Sequence, residues 1–206
     1  MVYINIKKER RGKMKKLIAI VMSMVLVLVA GVSCFNPNKE TEAEYKTRIK
    51  KELDAIPVEA TGYKLVDPTK NDVVYPEGEE PQKGSKMEID GHVYEFYYGV
   101  GYSIYYTLDK KEDITLISSE NDFFSKYQTQ FAVYYYDNHV FIVRYLIDSS
   151  AYSLDYSGFL PPLLFICDLE NNTAKYMGYL EEWFDYSLAT IWSQRLDDKI
   201  CAIVKN

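Results

Sequence analysis

Two stretches 47 residues apart carry the same pattern, and that repetition limits the fold more than any other feature of the chain. Met87-Glu88-Ile89-Asp90-Gly91-His92-Val93-Tyr94 matches Tyr134-Tyr135-Tyr136-Asp137-Asn138-His139-Val140-Phe141. Each reads as a strand, an Asp-Gly or Asp-Asn turn, and a His-Val-aromatic opening of the next strand. Asp, Asn and Gly tolerate the positive φ angles of a two-residue turn, so both stretches predict β-hairpins. A second hairpin follows in each unit. Ser103–Asp109 faces Ile114–Ser118 across Lys110-Lys111-Glu112-Asp113, and Leu163–Leu169 faces Thr173–Leu180 across Glu170-Asn171-Asn172. A fainter third copy runs Ala189–Arg195, Leu196-Asp197-Asp198, Lys199–Val204.

These units divide residues 87–206 into segments of about 87–130, 131–185 and an incomplete 186–206. Four strands per unit of about 40 to 50 residues is the scale of a propeller blade. The expected fold class is therefore all-β, with antiparallel hairpin repeats forming a propeller-like or two-sheet domain. Two and a half units cannot close a ring of four or more blades. A truncated propeller, an open sandwich and a curved meander all remain open, and the third unit is expected to leave Ile200–Val204 as an edge.

Composition agrees with strands. Tyrosine accounts for 20 of 206 residues, and its apolar body and polar tip suit a half-wet sheet face. Most of these rings are expected to pack the core. The candidates for an exposed stacking platform are Tyr97, Tyr98, Tyr102, Tyr105 and Tyr106 around Gly99-Val100-Gly101, with Trp183 and Trp192 at the entry to the third unit.

Ahead of the repeats, Tyr45, Ile49, Leu53 and Ile56 fall on one narrow helical face. Thr41 with Glu44 forms a capping-box pattern, and Pro57 stops the run. Such a thin stripe predicts a helix docked on the domain or serving as a stalk. Residues 66–86, with Pro68, Pro76 and Pro81, show no periodicity and read as a loop or linker.

The first 33 residues have another character. Lys7, Lys8, Arg10, Arg11, Lys13, Lys15 and Lys16 precede the uncharged stretch Leu17–Val32, and Ser33-Cys34 follows. A basic region, an apolar region and small residues are the parts of a secretory signal. Ala30-Gly31-Val32-Ser33-Cys34 resembles the lipobox of bacterial lipoproteins, with Gly31 where leucine is commonest. The resemblance covers only residues 14–34 or so. It implies cleavage before Cys34, a diacylglycerol on its sulfur, and a membrane-anchored protein on the extracytoplasmic side of the bacterial cell envelope. Residues 34–86 would then form the lipidated tether, short helix and loop. Two other readings stand beside it. Leu17–Phe35 passes the roughly 18 uncharged residues that span a bilayer, and Gly31 and Ser33 also suit conventional secretion. Met1 and Met14 both serve as plausible starts.

Removing residues 1–33 takes away seven of 24 basic residues and one of 30 acidic ones. The remaining 17 against 29 give a net charge of −12, which disfavours a phosphate backbone as partner. No nucleophile elbow, metalloprotease helix, phosphate loop, paired-cysteine motif or dinucleotide fingerprint occurs. No catalytic residue, metal ligand or cofactor is therefore expected. His92 and His139 hold equivalent places after their turns, where bonding to the adjacent backbone explains them. Cys167 and Cys201 both lie in apolar strand patterns. A bridge between them would close a loop of about 34 residues and stabilise by roughly 3–4 kcal/mol on chain-entropy grounds; two buried thiols are the alternative.

The function expected from these residues is a non-enzymatic module that binds a ligand or protein partner at the membrane surface. A surface glycan hydrolase, with acids drawn from the turns, and a functionally incomplete propeller remnant are the alternatives.

Overall fold

The computed structural model describes residues 40–99, 103–118, 126–151, 158–181, 183 and 201–206. The expected signal segment, Cys34, Tyr102, Trp192 and the expected first strand of the third unit lie outside the described residues. The compact unit that holds the strands is Glu42–Asn206.

The protein is mostly β, in antiparallel sheets, with one described helix. Helix α1 (Glu42–Asp54) buries Tyr45, Ile49 and Leu53, the stripe expected from the 3.6-residue period. Strands β3 (Lys86–Ile89), β4 (His92–Tyr98), β5 (Ile104–Leu108) and β6 (Asp113–Ile117) form a four-stranded sheet in sequence order. Strands β7 (Gln128–Tyr136), β8 (His139–Ile147), β9 (Leu163–Asp168) and β10 (Thr173–Tyr179) repeat that up-and-down order. This second sheet gains a fifth member, β2 (Gln82–Lys83), which pairs with Tyr134 and Tyr135 of β7.

The turns explain why these hairpins form where they do. Asp90 and Gly91 have φ of 53° and 79°, Asp137 and Asn138 have 51° and 63°, and Asp109 and Lys110 have 51° and 58°. Positive φ at both central positions gives the turn twist that matches right-handed strands. Asp109 also ties its turn to the start of β4, accepting from Val93 N–H and from His92 Nδ1, each at 2.9 Å. Lys110 has no such compensation for a left-handed backbone. Lys110→Gly is expected to stabilise the protein by about 0.5–1 kcal/mol, read as a higher urea midpoint with an unchanged slope.

Strand β8 is the centre of the molecule: all of it except His139 is buried. Its alternation sends Val140, Ile142 and Leu146 to one face and Phe141, Val143 and Tyr145 to the other. The first set joins Tyr45, Ile49 and Leu53 of α1 and Phe96, Ile104, Tyr106 and Leu116 of the four-stranded sheet in one core. The second set joins Leu65, Cys201 and Ile203 in another. The five-stranded sheet is thus covered on both faces, as a strand apolar on both sides requires.

The second cover is a two-stranded sheet of β1 (Tyr63–Val66) and β11 (Ala202–Lys205), with Val66 opposite Ala202 and Tyr63 opposite Lys205. This corrects two expectations. Ile200–Val204 was expected to follow a hairpin partner within the third unit, yet the strand pairs with β1 from the other end of the domain, and in this two-stranded sheet it has one neighbour among the described residues. Residues 66–86 were expected to be loop throughout, yet Val66 ends one strand and Gln82–Lys83 form another. Strands of four and two residues are too short to show a period. Rings hold the layer in place. Tyr63 packs edge-on against Phe141 at 4.9 Å, Tyr75 donates to the Ile203 carbonyl at 2.8 Å, and Asp137 accepts from both Tyr63 Oη and Lys205 Nζ.

The chain also covers the outer edge of β10. Glu59 and Ala60 donate their N–H groups to the Tyr176 carbonyl, and Glu59 Oε2 accepts from Tyr176 N–H at 3.1 Å. Those bonds occupy groups that an open edge would offer to another chain.

Candidate functional site

Strand alternation sorts the tyrosines. On β4 and β5, Phe96, Ile104 and Tyr106 point into the core, so Tyr97 and Tyr105 point out. They are register partners, half-buried, with ring centroids 6.0 Å apart and planes within 18°. A Cβ at Gly99 would come within 2.0 Å of a Tyr105 ring carbon, so that ring rests directly on the glycine backbone. The Tyr97 hydroxyl has Asp113 of β6 beside it. The neighbouring Asp113 carboxylate, with burial second, pushes the Tyr97 hydroxyl up to about 12. The result is a pair of nearly parallel aromatic faces flanked by the carboxylates of Asp113 and Glu95.

The other candidates are placed elsewhere. Tyr106 is 1% exposed, and its hydroxyl donates to Asn172 Oδ1 at 2.5 Å, which ties the two large sheets together. Tyr98 is 40% exposed and packs edge-on against Phe131 at 4.5 Å. Trp183 meets Tyr45 edge-on at 6.2 Å, with Lys46 Nζ 5.6 Å from its ring, and so helps seat α1. It is brought to the helix and not to the tyrosine pair.

Cys167 and Cys201 are free and buried. Cys167 belongs to the core shared with the four-stranded sheet, and Cys201 to the core under β1 and β11. The five-stranded sheet separates those cores, so of the two alternatives the structure has two buried thiols and no bridge. Burial pushes the Cys201 thiol up to about 11, and the Cys167 thiol higher still. Neither thiol is a ready nucleophile at neutral pH.

The two histidines differ in use. His139 Nδ1 donates to the Asp137 carbonyl at 2.6 Å, the backbone bond expected of it, whereas His92 turns to the Asp109 carboxylate. Among the described residues no three His, Cys, Asp or Glu side chains converge as a metal site, and no helix is long and apolar enough to cross a membrane.

Two buried polar groups had no sequence signal. Arg144 is fully buried on the same face as Ile142, with Nη2 donating to Thr129 Oγ1 at 3.2 Å. Burial lowers its guanidinium to about 10. Asp148, 8% exposed, accepts from Tyr45 Oη at 3.1 Å and from Ser150 N–H at 2.9 Å, joining α1 to the end of β8. An apolar strand with one arginine in it reads the same whether that residue is a buried anchor or an edge.

In comparison with family models, curated proteins and solved structures, nothing matches this chain.

Proposed function

We propose that this protein is a bacterial lipoprotein, tethered through lipidated Cys34 on the extracytoplasmic side of the cell envelope, whose β domain is a non-enzymatic module binding a ligand or protein partner. The anchor rests on the basic cluster, the uncharged stretch and Ala30-Gly31-Val32-Ser33-Cys34. The binding role rests on one observation, the outward Tyr97–Tyr105 pair between Glu95 and Asp113. Flat aromatic faces accept the apolar side of a sugar ring or an extended peptide, and adjacent carboxylates accept its hydroxyl or amide donors. Packing two four-strand meanders face to face is the arrangement of propeller blades, so the domain is read as propeller-like.

Intact mass at the N-terminus of the membrane-extracted protein tests the anchor. A chain beginning at Cys34 and carrying a diacylglycerol, absent in Cys34→Ala, is the expected result. An uncleaved N-terminus or an unmodified mature chain would sink it. For the platform, the full-length protein is screened by affinity electrophoresis in gels containing soluble polysaccharides. Tyr97→Ala and Tyr105→Ala are each expected to weaken retention about threefold to tenfold, the equivalent of roughly 0.5–1.5 kcal/mol of ring contact. Equal retention by wild type and both variants would move the binding surface elsewhere.

A further inference from the structure

Beside the Tyr97–Tyr105 pair, the next row across the β3–β6 sheet reads Lys86, Glu95, Thr107 and Asp113 in register. Alternation places that row on the outward face with the two rings, and both carboxylates are exposed. Among the described residues no lysine or arginine makes an ion pair with Glu95 or Asp113, although Lys86 stands opposite Glu95. On the other side of the pair the row holds Gly99 and Ser103, joined from N–H to carbonyl at 2.9 Å, and neither carries a charge. The acidic groups thus lie along one flank of the pair.

A lone exposed carboxylate is well solvated and calls for no partner. Here two of them sit across Thr107, two strand spacings or about 9–10 Å apart at Cα, and next to a pair of aromatic faces. A ring face attracts cations through its quadrupole, and the two carboxylates attract them to the same place. That field reaches the rings: Asp113 first, then burial, with Glu95 a smaller contributor, pushes the Tyr97 hydroxyl up to about 12. Topology narrows the ligand further. β4 and β5 are interior strands of their sheet, each paired on both sides. An extended peptide laid across them finds no open edge for its backbone groups. A sugar ring needs no edge, since its apolar face rests on an aromatic face and its substituents project from the rim.

On the reading of that pair as a ligand platform, we propose that its ligand is a glycan of amino sugars. The sugar rings stack on Tyr97 and Tyr105, and an unacetylated ammonium group lies against the flank of Glu95 and Asp113.

Three trisaccharides of the same linkage test this, built from glucosamine, N-acetylglucosamine or glucose. They share a backbone and differ at one carbon, which bears ammonium, acetamide or hydroxyl. Each is coupled to a column through its reducing end. The detergent-solubilised full-length protein is passed over it at about pH 5.5, where the amine is charged and both carboxylates are ionised. Wild-type retention on glucosamine is expected to exceed that on glucose about tenfold, with N-acetylglucosamine close to glucose. Glu95→Gln and Asp113→Asn should each weaken glucosamine retention about twofold to fivefold and leave the glucose column unchanged. Glu170→Gln, at the exposed β9–β10 turn, should leave all three unchanged. Tyr97→Ala and Tyr105→Ala should weaken retention on every column. Equal retention on glucosamine and glucose, still lost in the tyrosine variants, would overturn the amino-sugar assignment and leave the platform standing. An equal loss in Glu170→Gln would also overturn it, because the attraction would then be to the overall negative charge. Retention indifferent to both tyrosine variants, or no retention at all, would overturn the platform and the assignment together.

Discussion

Titrated upward from neutral pH, the protein is expected to hold most of its tyrosine protons until it unfolds, then release them together. An exposed tyrosine ionises near pH 10. Burial, the leading cause in each case, raises Tyr63, Tyr75 and Tyr127 to about 12, and Tyr45 and Tyr176 beyond that. A group whose folded pKa lies above its unfolded value contributes stability that is complete below the unfolded value. That contribution disappears as pH rises toward the folded one. For Tyr127, only 5% exposed, a rise of that size corresponds to a few kcal/mol, on the order of 1.4 per unit of pKa. Domains have only about 5–15 kcal/mol in total, so a few such groups suffice. Tyrosinate absorbance and far-ultraviolet circular dichroism should therefore change in one coincident step between pH 10 and 12. Gradual ionisation of most tyrosines with the fold intact would contradict the burial assigned to these rings. At the acid end Asp54, Asp67, Asp109, Asp137 and Asp168 are all lowered by hydrogen bonds or adjacent cations. Their support is present above about pH 4 and is lost as pH falls below it.

Truncating β8 should separate the two cores. Ile142 and Phe141 are both fully buried but face opposite layers. Ile142→Ala is expected to cost about 2–5 kcal/mol and Phe141→Ala about 3–5 kcal/mol in denaturant unfolding, from lost transfer free energy and residual cavity. Local consequences should differ. Ile142→Ala opens space between the sheets that α1 also covers, so amide exchange should quicken at Tyr45, Ile49 and Leu53. Phe141→Ala removes the ring that supports Tyr63, so exchange should quicken at Leu65 and Ile203 instead. The same exchange pattern in both variants would mean that the two layers open as one.

The readable parts of this fold were those with local causes. Two-residue turns carry their chemistry in adjacent letters, and Asp90-Gly91 and Asp137-Asn138 adopt the backbone those letters favour. The helix was legible for the same reason, because Tyr45, Ile49 and Leu53 lie within three turns. What escaped has distant causes. β1 exists because β11 pairs with it, and β2 because it pairs with the edge of β7 that β8 leaves open, at Tyr134 and Tyr135; neither segment states its partner. The cysteines show the limit most clearly. Their apolar strands could be recognised, but not that Cys167 and Cys201 fall on opposite sides of the same sheet. Alternation separates Tyr105 from Tyr106 in principle, yet only the register with Phe96 and Tyr97 reveals which faces outward.

The pairing of β1 with β11 also sets an order of events. Tyr63 meets Lys205 and Val66 meets Ala202, contacts with far more intervening chain than those of any hairpin here. Local hairpins close in microseconds, whereas distant pairings wait on the entropy of a long loop. The sheets carrying Phe141, Val143, Leu164 and Met177 can therefore assemble while that apolar surface is still bare. This interval is when a chaperone would find the chain, and when aggregation would compete with completion of the fold.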